Sequence, residues 1–451
     1  MMRKLLYGRA VTQEEIGRDR LNLLAAEDLE SFPALRNTNQ TIQCLRCGND
    51  RRSDFSNIPC SCGENCIYCL SCMQMGQLRL CTKLWHLEEK NDFSQIKNPV
   101  LTWQGTLSPQ QAEASQAIIY SIKNNEKRLI WAVAGAGKTE MLFEGIAYAL
   151  NKKKRVCLAS PRIDVCLELM PRLKQAFAHV DFITLYGGMT EGYRYTQMVL
   201  ATTHQLLRFK DAFDVLIIDE IDAFPYRDNK SLYYATERAR KKSSTLIYLT
   251  ATPDQKMQDS VKQEKLAASI LPARYHGHAL PEPRLVWSGN WSRQVLKYPQ
   301  KSKIIKIMQE KLDKKCKFLV FVPNIKWMHQ FEEICKNIFS THIFTSVYSQ
   351  DSKRKEKVMA MREDKLDFLI TTTILERGVT FKNIDVLVIG SEERIYTESA
   401  LVQIAGRAGR SAEYPKGDVI FFHYGQSKAM KSSVRQIRQM NDLARKRGLI
   451  N

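Results

Sequence analysis

Two tandem α/β halves, each built on a parallel sheet and together preceded by a small metal-binding module, are what this 451-residue sequence predicts. Three observations point there. Short apolar runs alternate with helix-like stretches from about Trp103 onward; the alternation breaks once, at Leu280-Pro281-Glu282-Pro283-Arg284, and then restarts; and 8 of the 12 cysteines crowd between Cys44 and Cys81.

Near-continuous apolar strands are what a parallel sheet covered on both faces requires. Before the break they read 129–133, 156–159, 215–218 and 246–249; after it, 318–322, 368–370, 386–389 and 419–422. The Pro-flanked break reads as a linker. The expected organisation is a polar, partly helical arm (1–40), a cysteine-rich module (41–100), a first domain (101–280), a linker (281–288) and a second domain (289–451). In the arm, Leu21, Leu23, Leu24 and Leu29 are the expected apolar contacts. The module is too short and polar to build a core without a metal. Near the C-terminus, Lys428, Lys431, Arg435 and Arg438 recur at helical steps while Met430, Val434 and Ile437 form another stripe, which reads as a packed helix with a solvated basic face.

Composition narrows the class. Hydrophobic residues at 44% and charged residues at 26% match a globular chain. No apolar run reaches the roughly 18 residues of a membrane span. Gly8, Arg9 and Glu14-Glu15 interrupt the signal-like start, so secretion is not expected and a cytoplasmic location is. Lys and Arg total 68 against 48 acids, a formal net charge of +20 that favours polyanionic partners. A generally basic protein would share that surplus.

The segment Ala132-Val133-Ala134-Gly135-Ala136-Gly137-Lys138-Thr139 follows an apolar strand and precedes a helical stretch starting at Glu140, the context of a phosphate loop. Its glycines let backbone N–H groups approach phosphates at a helix N-terminus. Lys138 would reach the β- and γ-phosphates of ATP, the Thr139 hydroxyl would ligate Mg²⁺, and Ala134 to Glu140 would form the cradle. Asp219, ending the 215–218 strand, would hold the Mg²⁺ shell, with Glu220 polarising the attacking water.

In order, Asp219-Glu220-Ile221-Asp222 and Thr250-Ala251-Thr252 resemble motifs II and III of superfamily 2 helicases and translocases. Leu107-Ser108-Pro109-Gln110-Gln111 resembles their adenine-reading glutamine motif, with Gln111 the better placed and Gln110 next. Ser160-Pro161-Arg162 and Thr202-Thr203-His204-Gln205 stand where that superfamily contacts a nucleic-acid backbone. The stretch 371–380 is similar to motif V and 403–410 to motif VI. The resemblance implies two RecA-like phosphate-loop domains with nucleotide between them, ATP closing the cleft and hydrolysis reopening it. It also gives Arg407 and Arg410 as arginine-finger candidates, with Gln403 near the attacking water or nucleotide. A guanidinium there stabilises charge building on the γ-phosphate.

The cysteines read as thiolate ligands for Zn²⁺, with Cys44-Leu45-Arg46-Cys47-Gly48 forming a knuckle and an iron–sulfur cluster as the minority alternative. Cys60, Cys62, Cys66, Cys69 and Cys72 follow, and seven ligands leave one ion or two open; two would recruit Cys81. A cysteine module ahead of such a motor, with Tyr68 to Gly76 and Trp103-Gln104-Gly105, resembles the ComFA family of late-competence ATPases over about residues 40–425. That resemblance makes Cys44, Cys47, Cys69 and Cys72 the principal zinc ligands and Cys60, Cys62 and Cys66 additional ones. It implies a single-stranded-DNA translocase driving import of transforming DNA, with ComEC and ComFC as partners; a homo-oligomer is compatible with it. The alternatives are a PriA-like replication-restart helicase, which carries its cysteines inside the second half, and a non-enzymatic zinc-dependent DNA-binding module.

Overall fold

The computed structural model describes residues 2–17, 29–38, 41–63, 66–411 and 413–450, so Leu21, Leu23 and Leu24 lie outside the described residues. The chain divides into two units, Met1–Ile130 with Thr139–Ser269, and Trp131–Lys138 with Ile270–Asn451.

The first α/β half is organised by a seven-stranded sheet in the order Phe182–Leu185, Met198–Thr202, Val156–Ser160, Phe213–Asp219, Arg240–Thr250, Lys127–Ala132, Ala267–Leu271. Its Phe182–Leu185 to Arg240–Thr250 neighbours pair in parallel. Val156–Ser160 and Met198–Thr202 are buried at every position, as strands covered on both faces must be. The register pairs Ser160 with Thr202 and Asp219 with Leu249, so the strands end together along one edge. Phe182–Leu185, Met198–Thr202 and Ala267–Leu271 were not among the strands expected, being short runs beside turn-forming residues.

The second half carries an all-parallel six-stranded sheet, Arg284–Trp287, Val419–His423, Ile384–Ile389, Lys317–Phe321, Phe368–Thr371, Phe344–Val347. Residues 281–288, expected as a linker, therefore supply an edge strand that pairs with Val419–His423; an edge tolerates the prolines that precede it. The core gathers Trp291, Met308, Phe318, Trp327, Phe331 and Phe368. The terminal helix Lys428–Lys446 buries Met430, Val434 and Ile437 as its periodicity requires. Among the described residues no helix is long and apolar enough to cross a membrane.

Residues expected as a separate arm join the cysteine-rich segment directly. Ala10–Val11 and Glu30–Pro33 flank Lys83–His86 in one antiparallel sheet. Leu6, Val11 and Leu87 make a small core, with Leu29 packed against it. Arg155 anchors this segment to the first sheet. Its guanidinium is fully buried, ion-pairs with fully buried Glu89, and donates to Tyr7 O (3.0 Å), Thr196 O (3.2 Å) and the Tyr193 hydroxyl (2.7 Å). Gly8 adopts φ +66°, and a Cβ there would come within 2.7 Å of Ala212 Cβ, so the chain can approach this closely only at glycine.

Removing one member of a buried pair strands the other charge. Arg155→Met is expected to destabilise the first unit by about 3 kcal/mol, read from the urea midpoint of its unfolding transition. An unchanged midpoint would remove Arg155 from this anchoring role.

Candidate active site

The phosphate-loop segment leaves the Lys127–Ala132 strand and turns through Gly135 (φ +86°) and Gly137 (φ +71°), conformations that side chains with a Cβ resist. Val133 N donates to Leu271 O and Ala136 N to Val133 O, both at 3.1 Å, fixing Ala134 and Gly135 in a tight turn. Thr139 is buried and opens a single 3-10 turn, Glu140–Leu142, before the α-helix Phe143–Asn151. The helix expected from Glu140 thus begins with a tighter turn. Lys138 is half-buried at the end of the loop. The Glu140 carboxylate is ion-paired with Arg172, so its side chain is engaged within the first unit.

Asp219 is the last residue of its strand, and Glu220 turns sharply at φ +56°, its N–H donating to Asp219 Oδ1 at 2.9 Å. A non-glycine residue held in the left-handed region stores strain of the kind found at functional sites. Asp222 joins the two motifs: the Thr250 hydroxyl donates to Asp222 Oδ1 at 2.6 Å and the Thr252 hydroxyl to Oδ2 at 2.5 Å. Sequence reading placed these three residues in motifs but gave none of them a site role.

Gln110 and Gln111 are both buried in the first turn of the helix Pro109–Asn124. Gln111 Oε1 accepts from Ser108 N at 2.8 Å and closes a capping box, a structural duty that competes with reading adenine. Ser160 and Thr202 end adjacent strands, as their motifs require. Beside them a groove of about 360 Å³ is lined by Arg9, Met75, Tyr186, Tyr193, Gln205 and Arg208.

In the second unit, Gln403 lies buried on the helix Glu398–Ala405, its Nε2 without a hydrogen-bond partner, a donor suited to a ligand oxygen. The two arginines differ. Arg407 is 2% exposed and donates to the Glu376 and Val379 carbonyls, holding the motif V segment. Arg410 is half-buried and donates to Gly406 O (3.0 Å) and Thr380 Oγ1 (3.4 Å).

Arg274 escaped sequence reading altogether. It is 1% exposed, packs against Gly135 and donates to the Gly406 and Gly409 carbonyls. Among the described residues no carboxylate pairs with it, and its Nε is buried without an acceptor. Burial, then the charge of Arg410, push it down to about 9. A Cβ on Gly406 would come within 2.5 Å of Ala134 Cβ, so motif VI meets the phosphate loop through a glycine. Buried positive charge against the loop fits phosphate groups. The only sequence signal was a lone arginine after Ile270-Leu271-Pro272-Ala273.

The cysteines form two groups of four, Cys44/Cys47/Cys69/Cys72 and Cys60/Cys62/Cys66/Cys81, each with sulfurs mutually within 4.8 Å. The first group is buried. Its knuckle turns at Gly48 (φ +73°), where a Cβ would come within 2.4 Å of the Tyr234 ring of helix Lys230–Ala239. Cys44 and Cys72 sulfurs lie 3.6 Å apart, and Cys47 and Cys69 sulfurs 3.7 Å. Tetrahedral zinc–thiolate bonds of about 2.3 Å place sulfurs about 3.8 Å apart, so the set fits that ion.

Residues 1–86 match the sequence family described as the competence protein ComFA N-terminal domain, extending the likeness to the first 40 residues, which carried none in the sequence reading. Residues 104–255 match the type III restriction enzyme res-subunit family and 300–412 the helicase conserved C-terminal domain. The chain is 46% identical to competence protein ComFA of Bacillus subtilis (strain 168) over 405 residues, 90% of this chain and 86% of that protein. It is 38% identical to ComFA of Streptococcus pneumoniae (strain ATCC BAA-255 / R6) over 434 residues, 96% of this chain and 97% of that one. In fold it is similar to Mss116p, solved with single-stranded RNA and AMP-PNP, at a TM-score of 0.57 and 20% identity over 74% of this chain and 72% of that chain. The replication-restart and non-enzymatic readings give way to these matches. With two ComFA proteins aligned over most of their length and both ATPase halves recognised, the chain belongs to the ComFA family and is a superfamily 2 helicase-like, DNA-dependent ATPase.

Proposed function

We propose that this ATPase translocates along single-stranded DNA and draws transforming DNA into the cell during natural competence. What supports the reading is the presence of Lys138, Thr139, Asp219, Glu220 and Arg410 at their motif positions in a chain of the ComFA family. ATP with Mg²⁺ supplies the transferable phosphoryl group. Lys138 balances charge on the β- and γ-phosphates, while Thr139 and Asp219 hold the metal shell. Glu220 orients the attacking water, and Gln110, whose neighbour Gln111 is engaged in the capping box, is the candidate to read adenine. Within the second unit, Arg410 would stabilise charge on the γ-phosphate, Gln403 would offer its amide, and Arg407 holds the motif V segment.

Strand contacts fall to the ends of Val156–Ser160 and Met198–Thr202 and to the adjoining groove, where Tyr186 supplies a stacking face beside Arg208, itself paired with Glu15, and Arg9, stacked on the Tyr193 ring. Cys44, Cys47, Cys69 and Cys72 would hold a zinc ion, which would supply cross-linking of the knuckle that packs against Tyr234. The location is cytoplasmic, at the inner membrane face, beside ComEC and with ComFC, as family resemblance suggests.

ATPase rates measured in parallel with single-stranded DNA, duplex DNA and RNA test the substrate. Stimulation chiefly by single strands, without duplex unwinding, is expected; unwinding with duplex preference would return the replication-restart reading. Lys138→Ala should abolish DNA-stimulated hydrolysis while melting like the parent, and unchanged turnover in that variant would rule out this site. Arg410→Ala should lower kcat by about 10³-fold with the fold intact. Arg407→Ala should additionally lower the thermal midpoint of the second unit; identical behaviour of the two variants would show that the structural division between them is wrong.

A further inference from the structure

We propose that Cys60, Cys62, Cys66 and Cys81 form a second, independent tetrathiolate zinc site, solvent-facing and more exchangeable than the buried one. The proposal stands apart from the ATPase reading.

Geometry separates the two sites. Cys66 and Cys69 are the two ends of one strand, paired antiparallel with Phe55–Ile58. Three steps along a strand cover about 10 Å, too far for both sulfurs to reach one ion from such a rigid element. Cys66 accordingly joins Cys60, Cys62 and Cys81, and Cys69 joins the buried set. Cys81 sulfur lies 3.7 Å from both Cys60 and Cys66 sulfurs, the edge of a tetrahedron around one zinc rather than a disulfide. A multi-iron cluster would place its thiolates on different irons, farther apart.

The elements that carry these sulfurs are built for convergence. Leu80 N donates to Ile67 O (2.8 Å) and Cys69 N to Leu78 O (3.1 Å), laying the Cys81 segment beside the Cys66–Cys69 strand. Gly63 at φ +87° closes a turn onto Cys60 O, which brings Cys60 and Cys62 to the same point. Four thiolates on a dication leave two negative charges. Arg79 Nη1, 3.5 Å from Cys60 sulfur, is placed to offset them. Cys62 and Cys81 are exposed, Cys60 half-buried and Cys66 buried, whereas all four cysteines of the first site are buried. Release of an ion follows local opening, which costs less at an exposed hairpin than in a packed junction.

Zinc content of the purified, zinc-reconstituted full chain tests this. Two ions per chain are expected, one released to a chromogenic chelator at least about tenfold faster than the other. Cys60→Ser with Cys81→Ser should hold one ion, lose the fast phase and keep the slow one. Should that pair fail to fold, Cys62→Ser alone, at an exposed turn, should abolish the fast phase. One ion per chain in the parent, or two ions and an unchanged fast phase in a folded variant, would overturn the proposal.

Discussion

The buried Arg155–Glu89 pair is the constraint from which the placement of the cysteine module follows. Arg155 immediately precedes the central strand Val156–Ser160, and its N–H donates at 2.7 Å to Oδ2 of Asp214, the second residue of the strand that ends in Asp219. Asp214 also accepts from Asn91 Nδ2 and Lys241 Nζ, each at 3.0 Å. The N-terminal ends of two neighbouring strands are thus locked to the C-terminal part of the module, Glu89 and Asn91, while their C-terminal ends carry Ser160 and Asp219. A buried pair adds little net stability over an apolar packing, but a wrong docking would leave a charge without its partner. The arrangement therefore selects one seating of the module on the sheet.

What the sequence made legible was whatever is local. The phosphate loop announces itself through spacing, and the strand before Asp219-Glu220 through an unbroken apolar run. Long-range pairing was not legible. Nothing near Gln111 in sequence separates a capping glutamine from an adenine reader, because the decisive neighbour, Ser108, supports both. Asp222 could not be assigned because its partners, Thr250 and Thr252, lie 28 and 30 residues away. The strand at Arg284–Trp287 was missed because prolines argue against a strand only in a sheet interior, and an edge position cannot be seen without the sheet.

The cysteines show the same limit in sharper form. A Cys-x-x-Cys spacing has two physical meanings. In the turn Cys44-Leu45-Arg46-Cys47-Gly48 both sulfurs reach one point. In the extended Cys66-Ile67-Tyr68-Cys69 they are carried apart to different groups. Sequence alone therefore left the number of sites open, and backbone conformation divides the eight sulfurs four and four.

Electrostatics gives the second unit its switchable character. Arg274 is buried against Gly135 with Arg410 nearby, and among the described residues no carboxylate pairs with it. A buried guanidinium in a poorly solvated place favours an anion such as phosphate over water at the loop. The same guanidinium donates to the Gly406 and Gly409 carbonyls, and Arg407, between those glycines, holds the backbone at Glu376 and Val379. An anion that neutralises Arg274 therefore acts on the segment that fixes motif VI and, through Arg407, motif V. By linkage, whatever stabilises those two segments must in turn tighten the anion.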